Sequence, residues 1–146
     1  MKITPSSLTQ ARYCAMEYLA RREHASLELS NKLARKGFDA DVIDSVLVQL
    51  QADNLLNDER FVEAYVRYRA NKGFGPLHIR QELQKRGING DMINVDDPSW
   101  IKSACKAREK RFGNLLPKLK SEQAKQFRFL QYRGFTFSQI EAVFRG

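Results

Sequence analysis

Histidine and cysteine each occur only twice in the chain, tryptophan once and proline four times. His24 and His78 have no cysteine or second histidine at metal-ligand spacing, which excludes a zinc site of the usual kinds. Cys14 and Cys105 form no Cys-x-x-Cys pair and no framework of bridges, as suits a reducing cytoplasm. No apolar run approaches the ~18 residues of a membrane span, and the first ten residues hold one lysine and no apolar block. A soluble, cytoplasmic protein without a secretory leader or a membrane partner is expected. Nucleotide and hydrolase signatures are missing as well. There is no Gly-x-x-x-x-Gly-Lys-Ser/Thr loop, no Gly-x-Ser-x-Gly elbow, and no glutamate followed two positions later by lysine. Asp96-Asp97 before Pro98 reads as a turn and helix cap rather than a metal clamp. The expectation is a non-enzyme with no cofactor and no metal.

What the chain does have is a repeat. Leu33-Ala-Arg-Lys-Gly37-Phe38, Leu83-Gln-Lys-Arg-Gly87-Ile88 and Leu130-Gln-Tyr-Arg-Gly134-Phe135 share leucine, two residues, a base, glycine and a large apolar side chain. A base followed by glycine ends a helix, the base facing the negative end of the dipole and the glycine turning left-handed. Asp39, Asn89 and Thr136 then stand where a new helix would be capped. Apolar pairs follow at Val42/Ile43, Met92/Ile93 and Ile140 beside Gln139, and one turn later at Val46/Leu47 and Val143/Phe144. The middle copy breaks at Asp96-Asp97-Pro98, which predicts a shorter last helix.

Ahead of each glycine-terminated helix lies another of period near 3.6. Ala15, Tyr18 and Leu19 mark the first, Phe61, Ala64, Tyr65 and Tyr68 the second, and Trp100, Ile101 and Ala104 the third. Asn57-Asp-Glu, Gly75-Pro76 and Asp97-Pro98 carry start signals. No stretch alternates with period two. The reading is all-α, with three tandem three-helix repeats over 1–54, 55–97 and 98–146. Modules of that length sit near the lower limit for independent folding, so neighbours should pack together into an elongated, curved array. No tail beyond the third repeat is expected.

The net charge of +8 is unevenly spread. Residues 1–57 and 58–98 each balance seven Lys/Arg against seven Asp/Glu, whereas 99–146 hold eleven against three. Such asymmetry points to a polyanion or an acidic protein face as partner. Lys102, Lys106 and Lys110 recur every four residues on one helix face, with Arg108, Arg111, Trp100 and Phe112 beside them. Like charges at that spacing repel by a few tenths of a kcal/mol per pair (about 0.2–0.5) unless something negative neutralises them. Lys118, Lys120, Lys125, Arg128 and Arg133 follow on the next helix. No Arg/Asn arrangement marks a base-reading helix, so contacts with single- or double-stranded DNA would be sequence-independent.

A second basic feature lies in the balanced middle third. From Arg67 to Arg80 a basic helix end meets a Gly73-Phe74-Gly75-Pro76 turn that opens a new helix. Arg67, Arg69, Lys72 and Arg80 are candidates to pair with phosphates or carboxylates. Backbone N–H groups at the helix start are candidates for an anion and Phe74 is a candidate binding contact, while the plainer reading is an inter-helix connector with Phe74 as its hydrophobic anchor and the bases solvated. Gly37, Gly73, Gly75, Pro76, Gly87 and Gly134 are expected to shape turns.

At these residues the chain resembles the RecX family, bacterial regulators of the recombinase RecA. The likeness runs through Tyr18-Leu-Ala-Arg-Arg-Glu-His24, Leu33-Ala-Arg-Lys-Gly-Phe38, Leu55-Leu-Asn-Asp-Glu-Arg-Phe61, Lys72-Gly-Phe-Gly-Pro76 with Ile79-Arg-Gln-Glu-Leu83, and Phe129-Leu-Gln-Tyr-Arg-Gly-Phe135. It departs at Leu77-His78, where family members often carry a base. The resemblance implies a helical monomer that binds RecA filaments and limits their extension, ATP hydrolysis and strand exchange, thereby modulating DNA repair and the SOS response. Two other classes fit the residues alone: a helix–turn–helix-like DNA-binding regulator acting without RecA, and a helical scaffold that binds neither.

Overall fold

A computed structural model describes residues 4–145, and these form eight α-helices with no strand among them. The helices are α1 (Pro5–Arg21), α2 (Ser26–Arg35), α3 (Ala40–Ala52), α4 (Asp58–Asn71), α5 (Pro76–Lys85), α6 (Ser99–Phe112), α7 (Lys120–Arg133) and α8 (Phe137–Arg145). None is long and apolar enough to cross a membrane. The repeat read from the sequence is present as α1–α3, α4–α5 and α6–α8. The middle copy loses its third helix altogether and keeps a single 3₁₀ turn, Gly90–Met92. Side chains there compete with the backbone helix: Asn89 Oδ1 accepts from Asp91 N at 2.9 Å and Asn94 Oδ1 from Asp96 N at 3.1 Å.

The glycine turns follow one design. Gly37, Gly73 and Gly134 have φ of 94°, 93° and 100°, and the N–H after each reaches back to the helix it leaves. Phe38 N donates to Leu33 O at 3.3 Å, Phe74 N to Arg69 O at 3.2 Å and Phe135 N to Leu130 O at 3.2 Å. This is the Schellman pattern, which satisfies carbonyls the helix end leaves open. After α3 the same role falls to Asn54, the one non-glycine residue with positive φ (58°) among those described. Helix starts are mixed. Asn57 accepts from Arg60 N, and Thr136 and Gln139 cap each other reciprocally. Asp39 occupies the cap position of α3, yet its side chain makes no capping bond.

The described chain divides into two compact units, Thr4–Ala64 with Lys85–Ile88, and Tyr65–Gln84 with Asn89–Arg145. In the first, α1, α2 and α3 pack pairwise around Ala11, Ala15, Leu29, Leu33, Val42, Ile43, Val46, Leu50 and Leu56. The opening of α4 is fastened here. Asp58 Oδ1 accepts from Ser26 N at 2.8 Å and so caps α2, while Arg60 grips Glu23 at 3.1 Å. The Leu55–Phe61 segment therefore starts one helix and caps another.

In the second unit α6, α7 and α8 pack together, with Trp100, Ala104, Leu130, Phe135, Ile140 and Val143 buried. The α7 turn docks on the start of α5 through backbone hydrogen bonds. Gly75 N donates to Arg133 O at 2.7 Å and Leu77 N to Gly134 O at 2.9 Å. A Cβ on Gly134 would lie 2.5 Å from His78 Cβ and 2.6 Å from His78 N, and one on Gly75 would lie 2.5 Å from the Gly134 carbonyl carbon. Gly37, by contrast, has open space around its missing Cβ. Gly134→Ala is thus expected to cost about 2–5 kcal/mol, adding a backbone clash to the left-handed strain. Gly37→Ala should cost only the strain, about 1–2 kcal/mol. Urea unfolding of the two variants measures the difference, and equal losses would contradict the docking.

Candidate nucleic-acid interface

The turn expected to bind an anion is filled by the protein itself. The N–H groups of Gly75 and Leu77 point at the carbonyls that end α7, and Pro76 has none to offer. A C-terminal dipole end thereby satisfies an N-terminal one, leaving no opening for a ligand at these two donors. Around Phe74 the cations are also engaged. Arg69 forms a two-pronged pair with Glu82 at 2.9 and 3.1 Å and lies 4.0 Å above the Phe74 ring. Arg133 stands 5.1 Å from Phe74 and 4.9 Å from Phe129 and donates to Lys72 O at 3.3 Å. His78 stacks on Phe74 with centroids 4.8 Å apart. The Phe74 ring is held between two guanidinium groups and an imidazole.

Arg108 is the clearest correction to the basic face. It is 2 % exposed, and its guanidinium donates to Gln126 Oε1 at 3.2 Å, Leu115 O at 3.3 Å and Asn114 O at 3.2 Å. The charge tethers the α6–α7 connection and buries a polar bridge between the two helices. Lys118 lies in that connection, ahead of α7 rather than on it.

Exposed cations remain. Lys102, Lys106 and Lys110 form the predicted stripe on α6, all three exposed. Arg111, Lys118, Lys120, Lys125, Arg128, Arg67 and Lys72 are exposed too, and Arg80 is half-buried. On α7 the bases do not share one face, since Lys120 and Arg133 fall about 140° apart at ~100° per residue. Aromatic side chains join them, one of them, Tyr68, at a position the apolar period assigned to the core. Tyr68 is 56 % exposed, with Lys72 Nζ 5.1 Å above its ring, and Tyr132 is 87 % exposed. Ala64 is exposed as well, because the buried edge of α4 begins with Phe61 and Val62 and gives way to Tyr65 and Val66. The available signal was the flanking of Tyr68 by Arg67, Arg69 and Lys72.

The first unit holds a cluster that charge counting by thirds conceals. His24, 2 % exposed, is hydrogen-bonded through Nδ1 to Arg22 O at 3.1 Å and through Nε2 to Lys32 Nζ at 2.8 Å. A carbonyl accepts and an ammonium donates, so these partners assign a neutral ring protonated on Nδ1. Burial first, and the neighbouring cations Arg22 and Lys32 after it, hold the His24 pKa below its ordinary value despite Arg22 O and Glu28. Among the described residues no group of three or more His, Cys, Asp or Glu side chains is placed to hold a metal.

Fold and surface together define an all-α repeat protein whose exposed chemistry is cationic and aromatic. Family models for the first, second and third three-helix domains of RecX match residues 11–50, 57–94 and 101–144. The chain is 42% identical to the regulatory protein RecX of Halorhodospira halophila, over 90% of this chain and 84% of that one. It is 40% identical to that of Legionella pneumophila strain Corby, over 94% and 95%. A crystal structure of RecX from Lactobacillus salivarius superposes with a TM-score of 0.83 at 23% identity, over 97% of both chains. The chain belongs to the RecX family of regulatory proteins.

Two outcomes test these assignments. A base whose folded pKa is depressed binds fewer protons folded than unfolded just below its ordinary value, so stability is lost as pH falls through about 6.5. Urea midpoints should therefore fall between pH 7.5 and 5.5, and His24→Gln should remove most of that dependence. Arg108→Ala should destabilise by about 2–4 kcal/mol, since it strands Gln126 and two carbonyls. Arg108→Ala should also leave the salt dependence of DNA binding unchanged, which electrophoretic or anisotropy titration reads directly.

Proposed function

We propose that this protein binds RecA filaments and restrains their extension, ATP hydrolysis and strand exchange, acting in the cytoplasm as a monomer without turnover of its own. The reading is supported by membership in a family of regulatory proteins that matches the chain in three consecutive domains, together with a surface rich in unpaired cations. The three repeats 1–54, 55–97 and 98–146 serve as the working units. In mechanism the protein lies in the filament groove and bridges adjacent protomers. Exposed cations touch DNA phosphates without reading sequence, and the bound state blocks addition of protomers or holds them in an inactive arrangement. Arg67, Lys72, Lys102, Lys106, Lys110 and Arg111 are the residues proposed to make those contacts. Arg69, Arg133 and Phe74 are proposed to shape the surface that presents them.

The test is RecA ATPase on single-stranded DNA, titrated with this protein at two salt concentrations. Inhibition that weakens at the higher salt is expected, and an ATPase unchanged at saturation overturns the reading. Counterion release contributes about −0.7 to the salt slope per phosphate contacted on a single strand. Replacing Lys102, Lys106 and Lys110 with glutamine should flatten the slope by up to ~2 units. Stability should stay within about 0.5 kcal/mol, because all three are exposed. Arg67→Gln with Lys72→Gln is the companion variant, and it leaves the Arg69–Glu82 pair intact.

A further inference from the structure

The first unit contains a cationic cleft outside the surface described above. It measures about 370 Å³ and is lined by Tyr18 of α1 and by Lys32, Arg35 and Lys36 at the end of α2. Positions 32, 35 and 36 are spaced i, i+3 and i+4, so a helix brings all three to one face. Tyr18 closes the cleft from the neighbouring helix, its ring 4.8 Å from Lys32 Nζ.

Two features separate this cleft from an ordinary basic surface. Among the described residues no carboxylate forms an ion pair with Lys32, Arg35 or Lys36, whereas nearby Arg22 is neutralised by Glu28 at 2.6 Å. Lys32 is also held in place. Its ammonium donates to the buried His24 Nε2 at 2.8 Å and faces the Tyr18 ring, so its position is fixed before any ligand arrives. Burial, and then repulsion from Arg22, Arg35 and Arg21 against the weaker pull of Glu28, press its pKa below the ordinary lysine value. An ammonium so placed gains from an added anion more than a free surface lysine does.

We propose that the cleft of Tyr18, Lys32, Arg35 and Lys36 is a phosphate-binding site, the three cations neutralising the oxyanion and the Tyr18 hydroxyl donating to it. The oxygen-rich, multiply charged phosphate group matches three convergent cations better than a single carboxylate does. The phosphate can come from a nucleic-acid backbone or from a free phosphate compound, and the chemistry of the cleft is the same for both.

Calorimetry with inorganic pyrophosphate and anisotropy with a single-stranded oligothymidine, both on the full chain without RecA, test the site independently of the function proposed above. The variants are Lys32→Gln and the exposed pair Arg35→Gln/Lys36→Gln, with Lys85→Gln/Arg145→Gln, two exposed cations outside the cleft, as the control matched in charge to the pair. Pyrophosphate affinity should drop about tenfold or more in either cleft variant, the scale of one lost charge-assisted hydrogen bond, and hold in the control. If the backbone is the source, the oligothymidine salt slope also flattens by about 0.7 per contact removed. If a free phosphate is the source, only the pyrophosphate arm responds. Cleft variants that bind both probes like the parent chain overturn the proposal, and so does a control that weakens pyrophosphate as much as they do. A variant that loses thermal stability alone overturns it too, since the cations would then serve only the α2 dipole.

Discussion

One backbone contact shapes the second unit, the seating of the Gly134 turn on the start of α5, and the Arg133 side chain adds to it. A helix of ten residues begins with N–H groups that need acceptors, and a helix of fourteen ends with carbonyls that need donors. Bringing the two ends together satisfies both, but only if the backbones approach closer than a Cβ allows. Gly75 and Gly134 provide that approach from opposite sides. Everything around them is arranged by it. Phe74 is brought beneath Arg133, His78 stacks on Phe74, and the carbonyl of Lys72 comes within reach of the Arg133 guanidinium. The Phe129 ring then joins the same group of cations and aromatics through Arg133.

That contact also explains which parts of the molecule were legible in the sequence. Glycine turns are local: leucine, base, glycine and apolar residue hold all the atoms of the Schellman bonds within six positions, so the turns at Gly37 and Gly134 could be read directly, and Gly87 shares their positive φ. The occupant of the α5 start lies far along the chain, and a glycine-proline helix opening looks the same whether it is empty or filled. Tyr68 failed for a related reason. A stripe through 61, 64, 65 and 68 is as regular as one through 61, 62, 65, 66 and 69, and the burial of Val62 and the pairing of Arg69 with Glu82 on α5 mark the second as the one formed. Arg108 was indistinguishable from its lysine neighbours until Gln126 appeared opposite it. The all-helical class and the three repeats needed only periodicity and caps; the candidate surface needed the partners.

Charge in this protein therefore falls into two populations that a count cannot separate. Arg60, Arg69, Arg108 and Arg133 have their guanidinium groups occupied by carboxylates, carbonyls or ring faces, where a planar fork with several donors is needed. The stripe at 102, 106 and 110 is lysine throughout, with flexible point charges left in water. The division has a physical basis. Arginine keeps its charge when partly buried and can satisfy several acceptors at once, while lysine is strongly hydrated and serves best as a mobile counterion to something outside. Exceptions run both ways: Arg67, Arg111 and Arg128 are exposed, and Lys32 is a lysine fixed by a buried histidine in a stretch whose net charge is zero.

Short modules raise a common difficulty, since each has more helix ends than its own core can cover. Two of the three repeats meet it in the same place, the start of the second helix. In the first repeat the donor at Ser26 is met by Asp58, which belongs to the opening of the next repeat. In the second repeat the donors at Gly75 and Leu77 are met by the turn of the repeat after it. One solution uses a carboxylate and the other a backbone carbonyl, so the sequences look unrelated although the task is the same. It follows that the second helix of each of these repeats lacks its cap until the following repeat has formed. The middle repeat, reduced to two helices and a 3₁₀ turn, buries Phe61, Val62, Ile79 and Leu83, gives a cap to α2 and receives one from the turn that ends α7.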